Sequence, residues 1–186
     1  MPTAETPNHA LSLGSLGLGR VVSFNSLKPA FLDASAAVKL VLTEHGSDRL
    51  LEHFNPAGSF FITSFCLFEA LGVLKRKMLK KEIVRDHYFE FCFLLLSYVQ
   101  LGRLRIDEPE ISSYETFQRA EKLARQYSLD LSDALQLVGL KYGRFSHFVQ
   151  ESKPVLVTAD GALEAAARSE GLRVWNCEGA ETPPEQ

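Results

Sequence analysis

Short apolar runs alternate with longer segments of helical length along most of this chain. Runs of three to five apolar residues bounded by turn residues are typical of strands that are covered on both faces. The pattern predicts five such strands, at Ala30–Asp33, Ser59–Thr63, Leu104–Ile106, Pro154–Thr158 and Leu172–Asn176.

The segments between these strands predict helices, and two serines stand where a helix cap is favoured, Ser35 and Ser64. The predicted helices are one from Ser35 that is broken at Gly46 and Ser47, Asp48–Phe54, one from Ser64 to Leu79, Lys81–Leu101, Glu108–Tyr127, Leu131–Tyr142 and Gly161–Ser169. Helices between consecutive strands predict an α/β protein with three α/β/α layers and a short-stranded, mainly parallel sheet.

The chain has 186 residues, which suits one domain with a sizeable core. Residues 1–28 are poor in charge and rich in Gly, Ser, Asn and Pro, so we expect a flexible N-terminal extension in which Arg20–Phe24 is the one β-like run. The globular domain is expected at residues 29–177, followed by a frayed tail at 178–186.

Composition narrows the function classes only a little. The chain is 46% hydrophobic and 23% charged, as in ordinary soluble proteins, and its formal net charge is -3. This balance argues against a protein that coats nucleic acid through bulk charge. It is compatible with a nuclease, because carboxylates that hold a metal ion lower the net charge themselves.

The three cysteines show no zinc spacing and no even framework for disulfides, so a reducing cytoplasm is expected. The apolar run at residues 89–99 contains Glu90 and is shorter than a membrane span, and the first residues do not match a signal peptide. We therefore expect no membrane partner.

Four acids have unusual positions. Asp33 ends an apolar strand and Asp160 directly follows one, while Glu69 and Asp133 lie within apolar helical stretches. A buried carboxylate is costly unless it is paired or bound to metal. For Asp33 and Asp160, helix capping remains an alternative. Together the four acids favour a shared site for one or two Mg²⁺ or Mn²⁺ ions, which prefer carboxylate oxygens.

The order of these motifs resembles the PIN domain, most closely the VapC-type toxins of toxin–antitoxin pairs. The resemblance spans residues 29–176. Its motifs are Phe31-Leu-Asp-Ala-Ser35, Glu69 after Thr63-Ser64, Leu131-Ser-Asp-Ala-Leu135, Val157-Thr-Ala-Asp160 and Gly171-Leu-Arg-Val174.

The resemblance implies a PIN-like fold and an endoribonuclease that uses Mg²⁺ or Mn²⁺ to cleave RNA. It also implies a homodimer and an antitoxin protein that blocks the site. Carried over, the catalytic and metal-binding acids are Asp33, Glu69, Asp133 and Asp160, with Ser35 and Thr158 as supporting hydroxyls.

For several nearby charged and aromatic residues, a purely structural role is an alternative to a functional one. Asp130 precedes Asp133 by one turn and is expected to start the helix rather than bind metal. The basic run that contains Lys75, Arg76 and Lys77 is a candidate RNA contact, although such a run is more often a solvated helix end that the helix dipole favours. We expect the aromatics of the helix at 81–101 to pack in the core or a dimer.

Three other functions compete with that of a toxin. A phosphatase of the haloacid dehalogenase type needs a second Asp two residues after the first, where this chain has Ser35. A catalytically inactive PIN module that binds RNA or protein is disfavoured by the presence of all four acids. A housekeeping PIN nuclease in RNA processing remains open beside the toxin.

Overall fold

The computed structural model describes residues 28–54 and 58–184, so the predicted N-terminal extension with its possible strand lies outside the described residues. The strands in these residues are β1 (Pro29–Leu32), β2 (Ser59–Ile62), β3 (Leu104–Ile106), β4 (Val155–Thr158) and β5 (Arg173–Asn176). The helices are α1 (Ala34–Lys39), α2 (Ser47–His53), α3 (Ser64–Leu79), α4 (Arg85–Gln100), α5 (Tyr114–Tyr127), α6 (Leu131–Tyr142) and α7 (Gly161–Ser169).

The five strands form one parallel sheet in the order β3-β2-β1-β4-β5. In the central strand β1, Phe31 lies opposite Phe61 of β2 on one side and opposite Leu156 of β4 on the other. Strand order therefore reverses between β1 and β4, which creates a crevice at their carboxyl ends. Every strand pair is parallel, and the predicted three-layer α/β/α fold is confirmed.

Side chains alternate between the two faces of the sheet and join two separate cores. Leu32 and Val157 point into a core with α1, α2, α3 and α4. Phe31 and Leu156 point into the other core, with α5, α6 and α7. Because both faces are covered, the central strands β1 and β4 are buried throughout, which explains their continuous apolar runs in the sequence, whereas the edge strands β3 and β5 are partly exposed.

The predicted helix caps at Ser35 and Ser64 are wrong. Each helix is capped by an earlier residue with an extended backbone: the Asp33 carboxylate accepts from Ala36 N, and the Thr63 hydroxyl accepts from Cys66 N. Both caps directly follow a strand, so the chain turns into the helix two residues sooner than Ser35 suggests and one residue sooner than Ser64 suggests. Because Asp33 caps α1, the Ser35 hydroxyl is available for other contacts.

Three predicted helix bounds are also corrected. The first helix ends at Lys39, well before Gly46. Lys81 adopts the left-handed conformation (φ 62°) and closes the end of α3, so α4 begins at Arg85 instead of Lys81. The segment from Glu108 is a loop, because Ser113 caps α5 through its hydroxyl.

Gly46 and Arg49 bring the chain after β5 against the first layer. Gly46 has φ 83°, and a Cβ there would lie 2.7 Å from the Cys177 carbonyl oxygen. The Arg49 guanidinium donates to the carbonyl oxygens of Cys177 (3.2 Å) and Gly179. The first residues of the predicted tail are thereby held beside α1 and α2.

Helix α4 is less buried than its apolar sequence suggests. Tyr88, Phe91 and Tyr98 pack partly against the first core, whereas Phe89 and Phe93 are 55% and 73% exposed. Neither α4 nor any other helix of the described residues combines the length and apolar character needed to cross a bilayer.

Candidate active site

A cavity of about 240 Å³ opens at the carboxyl ends of β1 and β4, where strand order reverses. This is the position at which open parallel sheets bind ligands. The cavity is lined by Asp33, Ala34, Ser35, Val38, Lys39, Glu44, Glu69, Val73, Asp133, Ala159, Asp160 and Glu178. All four acids singled out in the sequence therefore border one space.

Asp33 lies at the bottom of this group and is 2% exposed. Its carboxylate accepts hydrogen bonds from Ala36 N (2.7 Å), from Ser35 Oγ (2.8 Å) and from Thr158 Oγ1 (2.7 Å). Burial raises the pKa of Asp33 to about 6, even though these three donors act in the opposite direction. The side chain is thus fixed in place but electrostatically strained.

Ser35 and Thr158, the predicted supporting hydroxyls, connect Asp33 to the end of β4. Ser35 Oγ also accepts from Ala159 N at 2.8 Å, and Thr158 Oγ1 accepts from Asp160 N at 2.8 Å. Each hydroxyl therefore donates to the Asp33 carboxylate and accepts from a backbone amide. The backbone after β4 is fixed relative to Asp33 by this arrangement.

Glu69 reaches the cavity from α3, and its Oε2 accepts a hydrogen bond from Ser132 Oγ at 2.9 Å. Ser132 is the residue before Asp133 on α6, so one helix turn both orients Glu69 and supplies the next acid. Sequence reasoning missed this role of Ser132, since nothing in the sequence alone brings α3 to α6.

Asp133 is the least compensated of the four acids. No donor among the described residues lies within hydrogen-bond distance of its carboxylate. Burial, together with the negative charges of Asp33, Glu69 and Asp160, raises the pKa of Asp133 to about 7. The carboxylates are close enough to destabilise one another's charged forms.

Asp160 is exposed and caps α7, with Oδ1 accepting from Ala162 N (2.7 Å) and Leu163 N (3.0 Å). The capping alternative considered for Asp33 and Asp160 therefore holds for both, and both also line the cavity. Asp130 is exposed and does not line the cavity.

The described residues contain no three Asp, Glu, His or Cys side chains that are arranged to hold a metal ion as they stand. The four acids come from four separate elements and face a shared space, but they do not form a closed set of ligands.

Gln136, one turn after Asp133, is a second residue that sequence reasoning missed. It is 1% exposed, and its Nε2 donates to the Leu32 carbonyl oxygen at 2.9 Å, just before Asp33. Its Oε1 accepts from the Cys66 thiol at 3.4 Å. Burial raises the pKa of Cys66 to about 12, which fits an inert core cysteine. Gln136 lies three residues after Asp133 and therefore on the same face of α6, which was the signal available in the sequence.

Opposite the acids, four residues of mixed charge form a set that we call the paired cluster: Lys39, Glu44, Lys77 and Glu178. Lys39 Nζ lies 2.7 Å from Glu178 Oε1 and 3.4 Å from Glu44 Oε2, and Lys77 Nζ lies 2.6 Å from Glu44 Oε1. Burial would raise the pKa of Glu44, but the contacts with Lys77 and Lys39 lower it overall. Three of the four line the cavity.

The predicted RNA-binding run lies at the end of α3, beyond the cavity. Lys75 and Arg76 are exposed, and the Lys75 ammonium lies over the Tyr88 ring. Lys77 is engaged with Glu44 and Glu82. Of these three residues, Lys75 and Arg76 are therefore the ones that face solvent, as do Lys80 and Lys81 further along the run.

Comparisons with known proteins extend only to the fold. No protein-family model matches the chain, and no curated protein sequence matches it. Among solved structures, it is similar to the crystal structure of PAE2754 from Pyrobaculum aerophilum, with a TM-score of 0.53 and 17% sequence identity. The match covers 85% of this chain and 92% of that chain, so the two proteins share their overall architecture.

Proposed function

We propose that this protein is a divalent-metal-dependent endoribonuclease that hydrolyses RNA phosphodiester bonds. The observation that carries the proposal is the convergence of Asp33, Glu69, Asp133 and Asp160 on one cavity at the carboxyl ends of β1 and β4. The resemblance of the chain to VapC-type PIN nucleases supports the same reading of these acids.

The donor set fits Mg²⁺ or Mn²⁺. Both ions prefer carboxylate oxygens, and both keep water ligands that a partly open site leaves room for. Burial, with a further contribution from neighbouring carboxylates, raises the pKa values of Asp33 and Asp133, and a divalent cation would stabilise their charged forms. Asp33, Glu69, Asp133 and Asp160, which line the cavity together, are the residues that would hold such an ion.

Residues around the cavity hold two of the four acids in a fixed orientation and leave a third acid exposed to solvent. Ser35 and Thr158 hold the Asp33 carboxylate in one orientation, and Ser132 does the same for Glu69. Asp160 is exposed at the start of α7, where solvent and a substrate can reach it. A bound cation lowers the pKa of a coordinated water and stabilises charge on the phosphoryl oxygens.

We further propose that the enzyme acts as the toxin of a toxin–antitoxin pair, and that it forms a homodimer. The exposed Phe89 and Phe93 support a protein partner, because they lie one turn apart on the same face of α4 and adjoining exposed apolar side chains mark interaction surfaces. A housekeeping nuclease of RNA processing has the same site and differs in lacking an antitoxin.

The test uses purified protein and total cellular RNA. With Mn²⁺ we expect new RNA ends at defined positions, and we expect none after chelation with EDTA or in Asp33→Asn. Protein that binds no divalent cation and produces no new ends would overturn the proposal. Growth arrest on expression of the wild type, relieved by a small protein encoded just upstream, distinguishes the toxin from the housekeeping enzyme.

A further inference from the structure

The cavity has a lysine that the proposed chemistry does not use. Six of the described residues that line it are Asp or Glu, and among those lining residues Lys39 alone carries a positive side chain. A phosphodiester is anionic, so its path into such a cavity depends on every local cation. Lys39 is therefore well placed to influence how an RNA strand binds.

Lys39 is the last residue of α1, and only 5% of its side chain is exposed. Its ammonium lies between the carboxylates of Glu44 and Glu178, which differ in how much they depend on Lys39. Glu44 is held from its other oxygen by Lys77 at 2.6 Å, so it keeps a cation even without Lys39. Glu178 belongs to the segment after β5, and 37% of its side chain is exposed. The contact between Lys39 and Glu178 is therefore replaceable at little cost, because Glu178 returns readily to water.

We infer that Lys39 is a substrate-binding residue whose ammonium leaves the Glu178 carboxylate and donates to a non-bridging phosphate oxygen of an RNA strand in the cavity. This inference rests on the proposed nuclease function and assigns one strand contact to it. A lysine ammonium suits the role because it is a compact charge with three donors on a flexible stem. The carboxylate of Glu178 occupies the phosphate position in the free protein.

The experiment measures the dissociation constant of a fluorescent single-stranded RNA by anisotropy, with Ca²⁺ in place of Mn²⁺. We expect Lys39→Met to weaken binding by roughly tenfold or more, since a charge-assisted hydrogen bond is lost. The slope of log K against log salt becomes shallower by roughly 0.7. Lys39→Arg retains most of the affinity, and Glu178→Gln increases it several-fold because the competing carboxylate is gone.

The matched control is Lys141→Met, which removes a lysine paired with Glu170 outside the cavity. We expect it to leave both RNA affinity and the salt slope unchanged. Mn²⁺ binding, measured by calorimetry, should be unchanged within about twofold in Lys39→Met, because this lysine supplies no metal ligand. Thermal unfolding of each variant shows whether the chain is still folded.

The failures of the two proposals are distinguishable. A wild type that cleaves RNA while Lys39→Met keeps its RNA affinity and salt slope overturns only the role of Lys39. The same conclusion follows if Lys141→Met weakens binding as much as Lys39→Met, since the effect would then be general electrostatics. A Lys39→Met protein that is unfolded leaves Glu178→Gln as the deciding variant, and unchanged affinity there overturns the inference. A wild type that binds neither Mn²⁺ nor RNA overturns both proposals.

Discussion

Two sets of charges border the same cavity, and the fold treats them in opposite ways. The acidic quartet, Asp33, Glu69, Asp133 and Asp160, places like charges together, and no lysine or arginine of the described residues forms an ion pair with any of them. The paired cluster alternates lysine and glutamate, so that each charge has an opposite neighbour within hydrogen-bond distance.

The pKa values show what this difference means. Burial raises the pKa of Asp133 to about 7, while lysine contacts lower the pKa of Glu44. One set is destabilising in the free protein and the other is stabilising. A fold keeps uncompensated carboxylates where they are useful to a ligand, which is why the quartet carries the proposed metal site, whereas the charges of the paired cluster already satisfy one another in the free protein.

The largest expected effect separates the quartet from acids nearby. Asp133→Asn should lower the rate of RNA cleavage by roughly a hundredfold to ten-thousandfold, because a residue that faces the reacting groups is lost. Asp130→Asn is the matched control, since that acid lies one turn earlier and outside the cavity. Cleavage rates with Mn²⁺ measure both variants. Equal rates for the two variants would place the chemistry elsewhere.

The second prediction concerns stability without metal. The folded pKa of Asp133 lies above its unfolded value of 3.8, so the folded state binds more protons between pH 4 and 7. Stability from this group is complete below pH 4 and is lost as the pH rises through 7. At pH 8 with EDTA, Asp133→Asn should therefore raise the free energy of unfolding by roughly 2 kcal/mol, after allowance for partial exposure.

Urea denaturation at pH 8 measures this effect. Adding Mn²⁺ should stabilise the wild type more than the variant, because the ion cancels the same repulsion. A loss of stability in Asp133→Asn with EDTA would mean that the carboxylate is compensated by some other group.

The third prediction is a fall in the free energy of unfolding, where the second was a rise. Glu44→Gln should lower the free energy of unfolding by roughly 1 kcal/mol, because Lys39 and Lys77 lose their shared carboxylate. Since the pKa of Glu44 is lowered by folding, this stability is present above pH 4.5 and is lost as the pH falls below it. Urea denaturation at pH 7 checks the value.

Glu121→Gln serves as the control for that substitution, because the Glu121–Arg125 pair is exposed on α5. Its expected effect is under about 0.5 kcal/mol. If both variants lose the same stability, the paired cluster contributes no more than a surface ion pair.

The smallest expected effect tests how the quartet is oriented. Ser132→Ala removes the hydroxyl that donates to Glu69, and it should weaken Mn²⁺ binding by roughly twofold to fivefold. The free energy of unfolding should hardly change, because both side chains are partly exposed. Calorimetric titration with Mn²⁺ gives the affinity, and an unchanged value would show that Glu69 needs no support.

Much of the fold follows from patterns that act over a few residues. The five strands and helices α3, α6 and α7 lie where the pattern of apolar runs and turn residues predicts them. Errors concentrate at helix ends. Ser35 looks like a cap, but the cap is Asp33, and Lys81 closes one helix in a left-handed conformation that its residue type does not signal.

The quartet was visible in the sequence because each acid interrupts an apolar stretch. The residues that support it were not. Ser132, Gln136 and Lys39 are ordinary helix residues by sequence, and their partners are Glu69, Leu32 and Glu178, each far away along the chain. No local pattern marks a contact across so many residues.

The four acids were thus determined by the sequence, together with the alternation of strands and helices that brings strand ends to one edge. The tertiary structure decided which charges are neutralised. Whether a carboxylate such as Asp133 or Glu44 is strained or satisfied depends on the distance to charges from other elements and on burial, and both quantities exist only once the chain has folded.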